Sequence, residues 1–166
     1  METARLKLEP NDPKQLLTFI EDETGAAPLL GRPAAAGIRD YLLSASPAFF
    51  EGLRSASGPD RWRFGYVIIE KENDLVIGQC GFTGPPNESG TVEIAYSIAP
   101  AFQGKGYATE AAQALIEIAG REPTVRLICA HTLAEPNASS RVLEKCGLRR
   151  VAEAMEDGVP IWRWEL

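Results

Sequence analysis

The sequence predicts one α/β (α+β) domain: a mixed, mostly antiparallel sheet of roughly six or seven strands with helices on both faces. Three observations carry this. Short alternating or wholly apolar runs recur along the chain, a long alanine-rich stripe of helical spacing separates two of them, and the last two runs flank Asp157-Gly158. At 166 residues and 45% hydrophobic content the chain can bury a sizeable core, and no repeat or linker divides 1–166 into more than a single domain.

Arg5 to Leu8 alternates as a strand, ended by Glu9-Pro10-Asn11. Asp12-Pro13 reads as an N-cap with proline at the first helical position, opening a helix through Leu16, Leu17, Phe19 and Ile20. Pro33 to Leu43 is expected as a short helix and Pro47 to Leu53 as a helical turn or two. The Ala-, Gly- and Pro-rich block from Gly25 to Gly58 is expected to be the mobile, variable part. Arg61 to Ile69 and Leu75 to Phe82 form a hairpin across Lys71-Glu72-Asn73-Asp74. Thr91 to Ile98 is a strand with Val92, Ile94, Tyr96 and Ile98 on one face and Glu93, Ala95 and Ser97 on the other. A helix is expected from Gln103 to Ala119. The apolar run Val125 to Ala130 is expected as a central strand, and Asn137 to Lys145 as a helix that Gly147 caps. Arg149 to Met155 and Pro160 to Leu166 make the closing hairpin, with Trp162 and Trp164 on one face.

Composition narrows the function. A formal charge of −6, with no basic stretch interleaved with aromatics, argues against a nucleic-acid partner. Cys80, Cys129 and Cys146 are widely separated and read as buried free thiols of a reducing compartment. The N-terminus lacks the apolar core of an export signal, and no run reaches the roughly 18 apolar residues that cross a bilayer. The expectation is a cytoplasmic protein with no membrane partner. The lone His131 has no Cys, His or Asp at ligand spacing, so no metal is expected, and it reads chiefly as structural.

The segment Ser97-Ile98-Ala99-Pro100-Ala101-Phe102-Gln103-Gly104-Lys105-Gly106-Tyr107-Ala108-Thr109-Glu110-Ala111 is the most informative. A strand stops at Pro100, Gly104 and Gly106 follow, and a helix opens. Glycines at a helix mouth expose N–H groups that can seat phosphate oxygens. Spacing alone admits a structural turn equally. The third glycine of a dinucleotide site is missing, and Gly104-Lys105 is followed by Gly106 where a P-loop needs Ser or Thr. The remaining reading is a pyrophosphate held by backbone donors, without chemistry at phosphorus.

Gln103-Gly104-Lys105-Gly106-Tyr107-Ala108 resembles the Gln/Arg-x-x-Gly-x-Gly/Ala signature of the GNAT acetyltransferases, and Val92 to Ile98 resembles the strand before it. Ala130 to Leu148, with Asn137-Ala138-Ser139-Ser140-Arg141-Val142-Leu143-Glu144-Lys145, is similar to the closing segment of the ribosomal-protein N-terminal acetyltransferase branch. The resemblance implies an acyl-CoA N-acyltransferase-like fold and acetyl-CoA (coenzyme A) as cofactor. It implies a cofactor seat formed by Gln103, Gly104, Lys105, Gly106, Tyr107, Ala108 and Thr109. The backbone of Ile98 or its neighbour would hold the thioester carbonyl, and Asn137 would meet the cofactor arm. Lys105 is either a phosphate contact or a solvated charge. The implied reaction moves acetyl to a primary amine, on a protein N-terminus or a small molecule, by direct attack in a ternary complex.

Attack requires the ammonium to lose a proton, directly or through water. Glu93, on the less crowded strand face, is the expected general base; the alternative is a solvated strand glutamate. Ser139, then Ser140, are the expected partners of the leaving sulfur, with the motif's register open by one residue and helix capping as the competing role. The other functional alternative is a non-catalytic acyl-CoA-binding or interaction domain. Trp162 and Trp164 either pack within the sheet or help form a homodimer.

Overall fold

The computed structural model describes residues 1–24 and 26–166. Its order is β1 (Leu6–Pro10), α1 (Pro13–Glu21), α2 (Ile38–Leu43), α3 (Pro47–Ser55), β2 (Tyr66–Glu70), β3 (Leu75–Phe82) and β4 (Thr91–Ile98). A 3₁₀ turn (Pro100–Phe102), α4 (Tyr107–Gly120), β5 (Leu127–Leu133), α5 (Ala138–Lys145), β6 (Arg149–Glu156) and β7 (Val159–Glu165) complete it. The strands form one 7-stranded sheet in the order β1-β2-β3-β4-β5-β7-β6. Every neighbour pair is antiparallel except β4 and β5, whose parallel pairing the crossover helix α4 permits.

Two cores cover the two faces. Register aligns Leu8 with Ile68, Ile68 with Gly78 and Gly78 with Ile98, and this face packs Ile68, Ile94 and Ile98 against Ala111, Leu115 and Ala119 of α4. The opposite face joins Val67, Ile69 and Val76 to Leu16, Ile20, Ile38, Leu42 and Leu53 of α1, α2 and α3. Asp12 caps α1 by accepting from the N–H groups of Lys14 (3.1 Å) and Gln15 (2.9 Å), and Ser46 caps α3 from Phe49 N–H (3.3 Å). Val92, Ile94, Tyr96 and Ile98 share one face of β4, as the alternation predicts.

Several boundaries differ from expectation for local reasons. The strand expected from Arg61 begins at Tyr66, because Asp60 Oδ1 accepts from Trp62 N–H (2.9 Å) and Arg63 N–H (3.3 Å) and turns the chain. The helix expected from Pro33 begins at Ile38. Pro33 carbonyl instead accepts from Val76 N–H (3.0 Å), and Ala35 N–H donates to Val76 carbonyl (2.8 Å), so this stretch extends the sheet. The helix expected from Gln103 begins at Tyr107, because Gly104 and Gly106 adopt left-handed φ of 74° and 84°. The expected Val125–Ala130 strand is shifted to Leu127–Leu133, since Val125 N–H closes a turn onto Glu122 carbonyl (3.0 Å). Gly25, in the block expected to be mobile, lies outside the described residues.

Asp157 and Gly158, both with positive φ, turn β6 into β7 as a two-residue hairpin connection. Trp164 packs inward, 3% exposed, with its indole N–H donating to Thr132 Oγ1 at 3.0 Å, while Trp162 lies under the Arg150 guanidinium. All three cysteines are free; Cys80 and Cys129 are buried and Cys146 half-buried. Among the described residues no helix is long and apolar enough to cross a membrane.

Gly65 holds φ of 62° where the chain enters β2, and a Cβ there would run into the Cys80 carbonyl. Gly65→Ala should therefore lower unfolding stability by about 2–4 kcal/mol, combining left-handed strain with overpacking. Denaturant titration checks this, and a loss below about 0.5 kcal/mol would refute the account, being the scatter of ordinary surface substitutions.

Candidate active site

The site grows from the place where β4 and β5 part. They pair only from Thr91–Leu127 to Glu93–Cys129. Beyond it β4 stays with β3 as far as Ile98, and β5 stays with β7 as far as Leu133, so their facing edges open into a wedge. Peptide orientation follows from the outer ladder. Thr83 N–H donates to Glu93 carbonyl (3.0 Å) and Ala99 N–H to Ile77 carbonyl (2.8 Å), which turns odd-numbered β4 residues toward β3. The peptide groups of Tyr96 and Ile98 therefore face the wedge. Gln103 Nε2 occupies the Ile98 carbonyl at 2.9 Å, leaving the N–H groups of Tyr96 and Ile98 without a strand partner.

On the α4 face, the wedge opens into a cleft of about 460 Å³. Its walls are Tyr96 to Ile98, the loop through Gly104 and Gly106, the first turn of α4, and Ser139, Arg141, Val142 and Lys145 from α5. Gly106 is the N-cap of α4 with no side chain to satisfy the helix start. Among the described residues the N–H groups from Gly104 to Thr109 donate to no protein acceptor. Gly104 has nothing within 4 Å of where a Cβ would stand. Free amides, helix-dipole charge and the nearby Arg141 and Lys145 fit a diphosphate. Lys105 lies with its ammonium 5.0 Å over the Phe102 ring.

The loop is fixed from the chain's beginning. Arg5 Nη1 donates to Lys105 carbonyl at 2.9 Å, and Arg5 Nε pairs with Glu110 Oε2 at 2.8 Å. Glu110 Oε1 also accepts from Thr3 Oγ1 (2.6 Å) and Arg5 N–H (2.8 Å), and the Arg5 guanidinium sits 4.5 Å over the Tyr107 ring. Partial burial pushes the Glu110 carboxyl up, but the bonds from Thr3 and Arg5 outweigh it and hold the group below its ordinary value.

On the opposite face, Glu93 stands at the wedge's apex. His131 of β5 reaches across, its Nδ1 2.8 Å from Glu93 Oε1, and Thr83 Oγ1 donates to Glu93 Oε2 at 3.4 Å. Both Glu93 and His131 side chains remain partly open to solvent, 31% and 22% exposed. Beside them lies a second pocket of about 390 Å³, with β3, Ala95 and Thr83 as its floor and α2, Ser46, Phe49 and Phe64 as its walls. Ala95 lines one pocket and Tyr96 the other, so the two lie on opposite faces of the sheet.

At α5, Asn137 and Ser140 form a reciprocal capping box. Ser140 N–H donates to Asn137 Oδ1 (2.9 Å) and Asn137 N–H to Ser140 Oγ (2.9 Å). Ser140 is 4% exposed and its own proton goes to the Asn137 carbonyl at 2.8 Å. Its hydroxyl thus serves the cap, the competing role named for it. Ser139 lines the cleft, and its carbonyl accepts from the Tyr96 hydroxyl at 3.4 Å. Burial raises the Tyr96 phenol well above its ordinary value, the bond to Ser139 opposing this in part.

Sequence reasoning underweighted His131, whose partner is 38 residues away. The alternation places Tyr96 on the apolar face but does not show that its side chain is long enough to carry the hydroxyl to α5. Arg5, Arg141 and Lys145 carried no local signal at all.

Comparison with known proteins identifies the family to which this arrangement of parted strands and open-amide helix mouth belongs. The acetyltransferase (GNAT) domain model matches residues 7–149. The uncharacterized N-acetyltransferase YjdG of Bacillus subtilis (strain 168) is 32% identical over 151 residues, covering 89% of this chain and 88% of that protein. A ribosomal-protein-alanine acetyltransferase from Vibrio fischeri superposes with a TM-score of 0.67 at 17% identity, covering 100% of this chain and 94% of the other. A spermidine N-acetyltransferase from Vibrio cholerae gives 0.66 at 15%, covering 99% and 94%. The chain belongs to the GNAT acetyltransferase family and is an acetyltransferase enzyme; structures from more than one branch resemble it almost equally.

The lowered Glu110 carboxyl gives a signed prediction. Its contribution to stability is complete above 4.5 and is lost as pH falls from there through the lowered folded-state value. The stability gap between wild type and Glu110→Gln should accordingly be largest near neutrality and shrink on acidification. Parallel denaturant titrations at several pH values check it, and a gap independent of pH would contradict the clamp.

Proposed function

We propose that this enzyme transfers the acetyl group of acetyl-CoA to a primary amine, on a protein N-terminus or a small molecule, by direct attack in a ternary complex. The observation that carries the reading is the wedge between β4 and β5, with bare amides on one face and a carboxylate–imidazole pair on the other. Acetyl-CoA supplies a thioester carbonyl to be attacked and a thiolate that departs.

The chain's own residues then divide the work. Amides of Gly104 to Thr109 hold the diphosphate, with Arg141 and Lys145 adding charge. Gln103 acts by pinning the Ile98 carbonyl, so that the Ile98 and Tyr96 N–H groups are the donors left to polarise a carbonyl in the wedge. Glu93 takes the ammonium proton, directly or through a water, and the bond from His131 holds its carboxylate toward the wedge. On the cofactor side the Tyr96 hydroxyl, which now donates a long bond to the Ser139 carbonyl, would have to turn from it to donate to the sulfur, with Ser139 beside it. Asn137 and Ser140 set the start of α5, which walls the cleft.

The similarity of Ala130 to Leu148 to the ribosomal-protein N-terminal acetyltransferases supports that branch. Free thiols at Cys80, Cys129 and Cys146 support a cytoplasmic, reducing setting. The outermost strand β6, exposed throughout with Val151 and Met155 bare, supports a homodimer across that edge.

Glu93→Gln should lower kcat at neutral pH at least about tenfold, within the usual range for a general base, with acetyl-CoA affinity nearly unchanged. Thiol-release kinetics and cofactor titration read the two, and an unaltered rate removes Glu93 from proton transfer. Gly106→Val should do the reverse, blocking the seat and weakening acetyl-CoA binding at least about tenfold, or roughly 1.4 kcal/mol. Calorimetric titration tests it, and unchanged affinity would overturn the seat.

A further inference from the structure

We infer that the second pocket accepts a monoamine with an apolar body and a carbonyl or carboxylate a few bonds from its nitrogen, as in an α-amino acid or its amide, and rejects polyamines. This rests on the proposed transfer reading and names its acceptor class. The argument starts from a buried amide pair. Asn11 Nδ2 donates to Phe64 carbonyl at 2.7 Å and to Gln79 Oε1 at 2.9 Å. A backbone carbonyl only accepts, so it fixes which end of the Asn11 amide faces it, and that donor in turn fixes Gln79. Gln79 Nε2 is thereby turned away from Asn11. It is buried, 6% exposed as a residue, and has no protein partner among the described residues. Asn11 Oδ1 is also unpaired, but only Gln79 lines the pocket.

A buried amide donor left without a protein partner is costly, which makes it a preformed request for an acceptor atom. Gln79 stands directly opposite Ser97 on β4 and next along the face to the Gly81–Ala95 pair, one strand spacing (about 4.8 Å) from the strand that borders the wedge. A substrate amine at the wedge would thus lay its carbonyl toward Gln79 across β4. Leu42, Phe49 and Phe64 supply apolar walls. The charge pattern agrees: among the described residues the pocket lining contains no carboxylate, and its one cation, Arg63, forms no ion pair. A polyamine would bring a second ammonium to a pocket with no anion and one guanidinium.

The test compares phenylalaninamide, phenylalanine, phenethylamine and spermidine with the full-length enzyme, following thiol release at saturating acetyl-CoA. Phenylalaninamide or phenylalanine should exceed phenethylamine at least about tenfold in kcat/KM, as a site built around a donor discriminates, with spermidine lowest. Gln79→Glu keeps the oxygen that Asn11 needs and removes the donor; at pH 8 it should collapse that ratio below about threefold. Arg63→Ala separates the two sources, lowering phenylalanine alone if a free carboxylate is recognised and leaving both ligands level if the carbonyl suffices. Phenethylamine within about twofold of the better carbonyl-bearing ligand, or a preference for spermidine, overturns the inference. Calorimetric titration of phenylalaninamide and phenethylamine into the coenzyme A complex reads the pocket without turnover. A binding preference with no thiol release from any amine would sink the transfer reading and keep this one; equal binding would sink this one even if transfer proceeds.

Discussion

The constraint on which the molecule turns is that β4 and β5 stop pairing at Glu93 and Cys129. A sheet that ran on would bury its peptide groups in a ladder and seal one face from the other. Interrupting it leaves N–H and C=O groups that need partners, because unpaired backbone polar groups in an interior are costly. Gln103 supplies one partner from within, at the Ile98 carbonyl. The donors that remain face the wedge, where in the proposed reaction ligand atoms would replace the missing strand. The side-chain alternation of β4 then assigns each face its own task, with Tyr96 and Ile98 to one and Glu93 and Ala95 to the other.

The second requirement is that the open helix start hold its shape when nothing is bound. Glycines at 104 and 106 give access but little rigidity. Rigidity comes from outside the loop, through Arg5, which grips Lys105 carbonyl and Glu110 at once, and Thr3, which joins it at Glu110. The chain's first residues thus reach over to the helix that begins a hundred positions later.

Much of this was legible in the sequence because it rests on short-range rules. The period-two pattern of Thr91 to Ile98 separates Glu93 from Tyr96, Gly104 and Gly106 mark a helix mouth with open amides, and Asp12-Pro13 marks a helix start. What stayed hidden depends on register between distant strands. That His131 meets Glu93 follows from the parallel alignment of Glu93 with Cys129, which no local pattern encodes. The serines were ambiguous for a different reason, since capping and catalysis draw on the same small polar residues, and only the reciprocal bonds to Asn137 decided Ser140. The misjudged start at Pro33 has a tertiary cause, because Val76 offers that segment sheet bonds that outcompete a helical turn.

The two hollows lie on opposite sides of the sheet, and no residue lines both. Each therefore has its own doorway. Under the proposed transfer neither reactant would need to wait outside while the other settles, and the modified amine could depart past α2 and α3 while the spent carrier was still seated against α5. Such an architecture would impose no queue on that reaction: loading in either sequence would be sterically open.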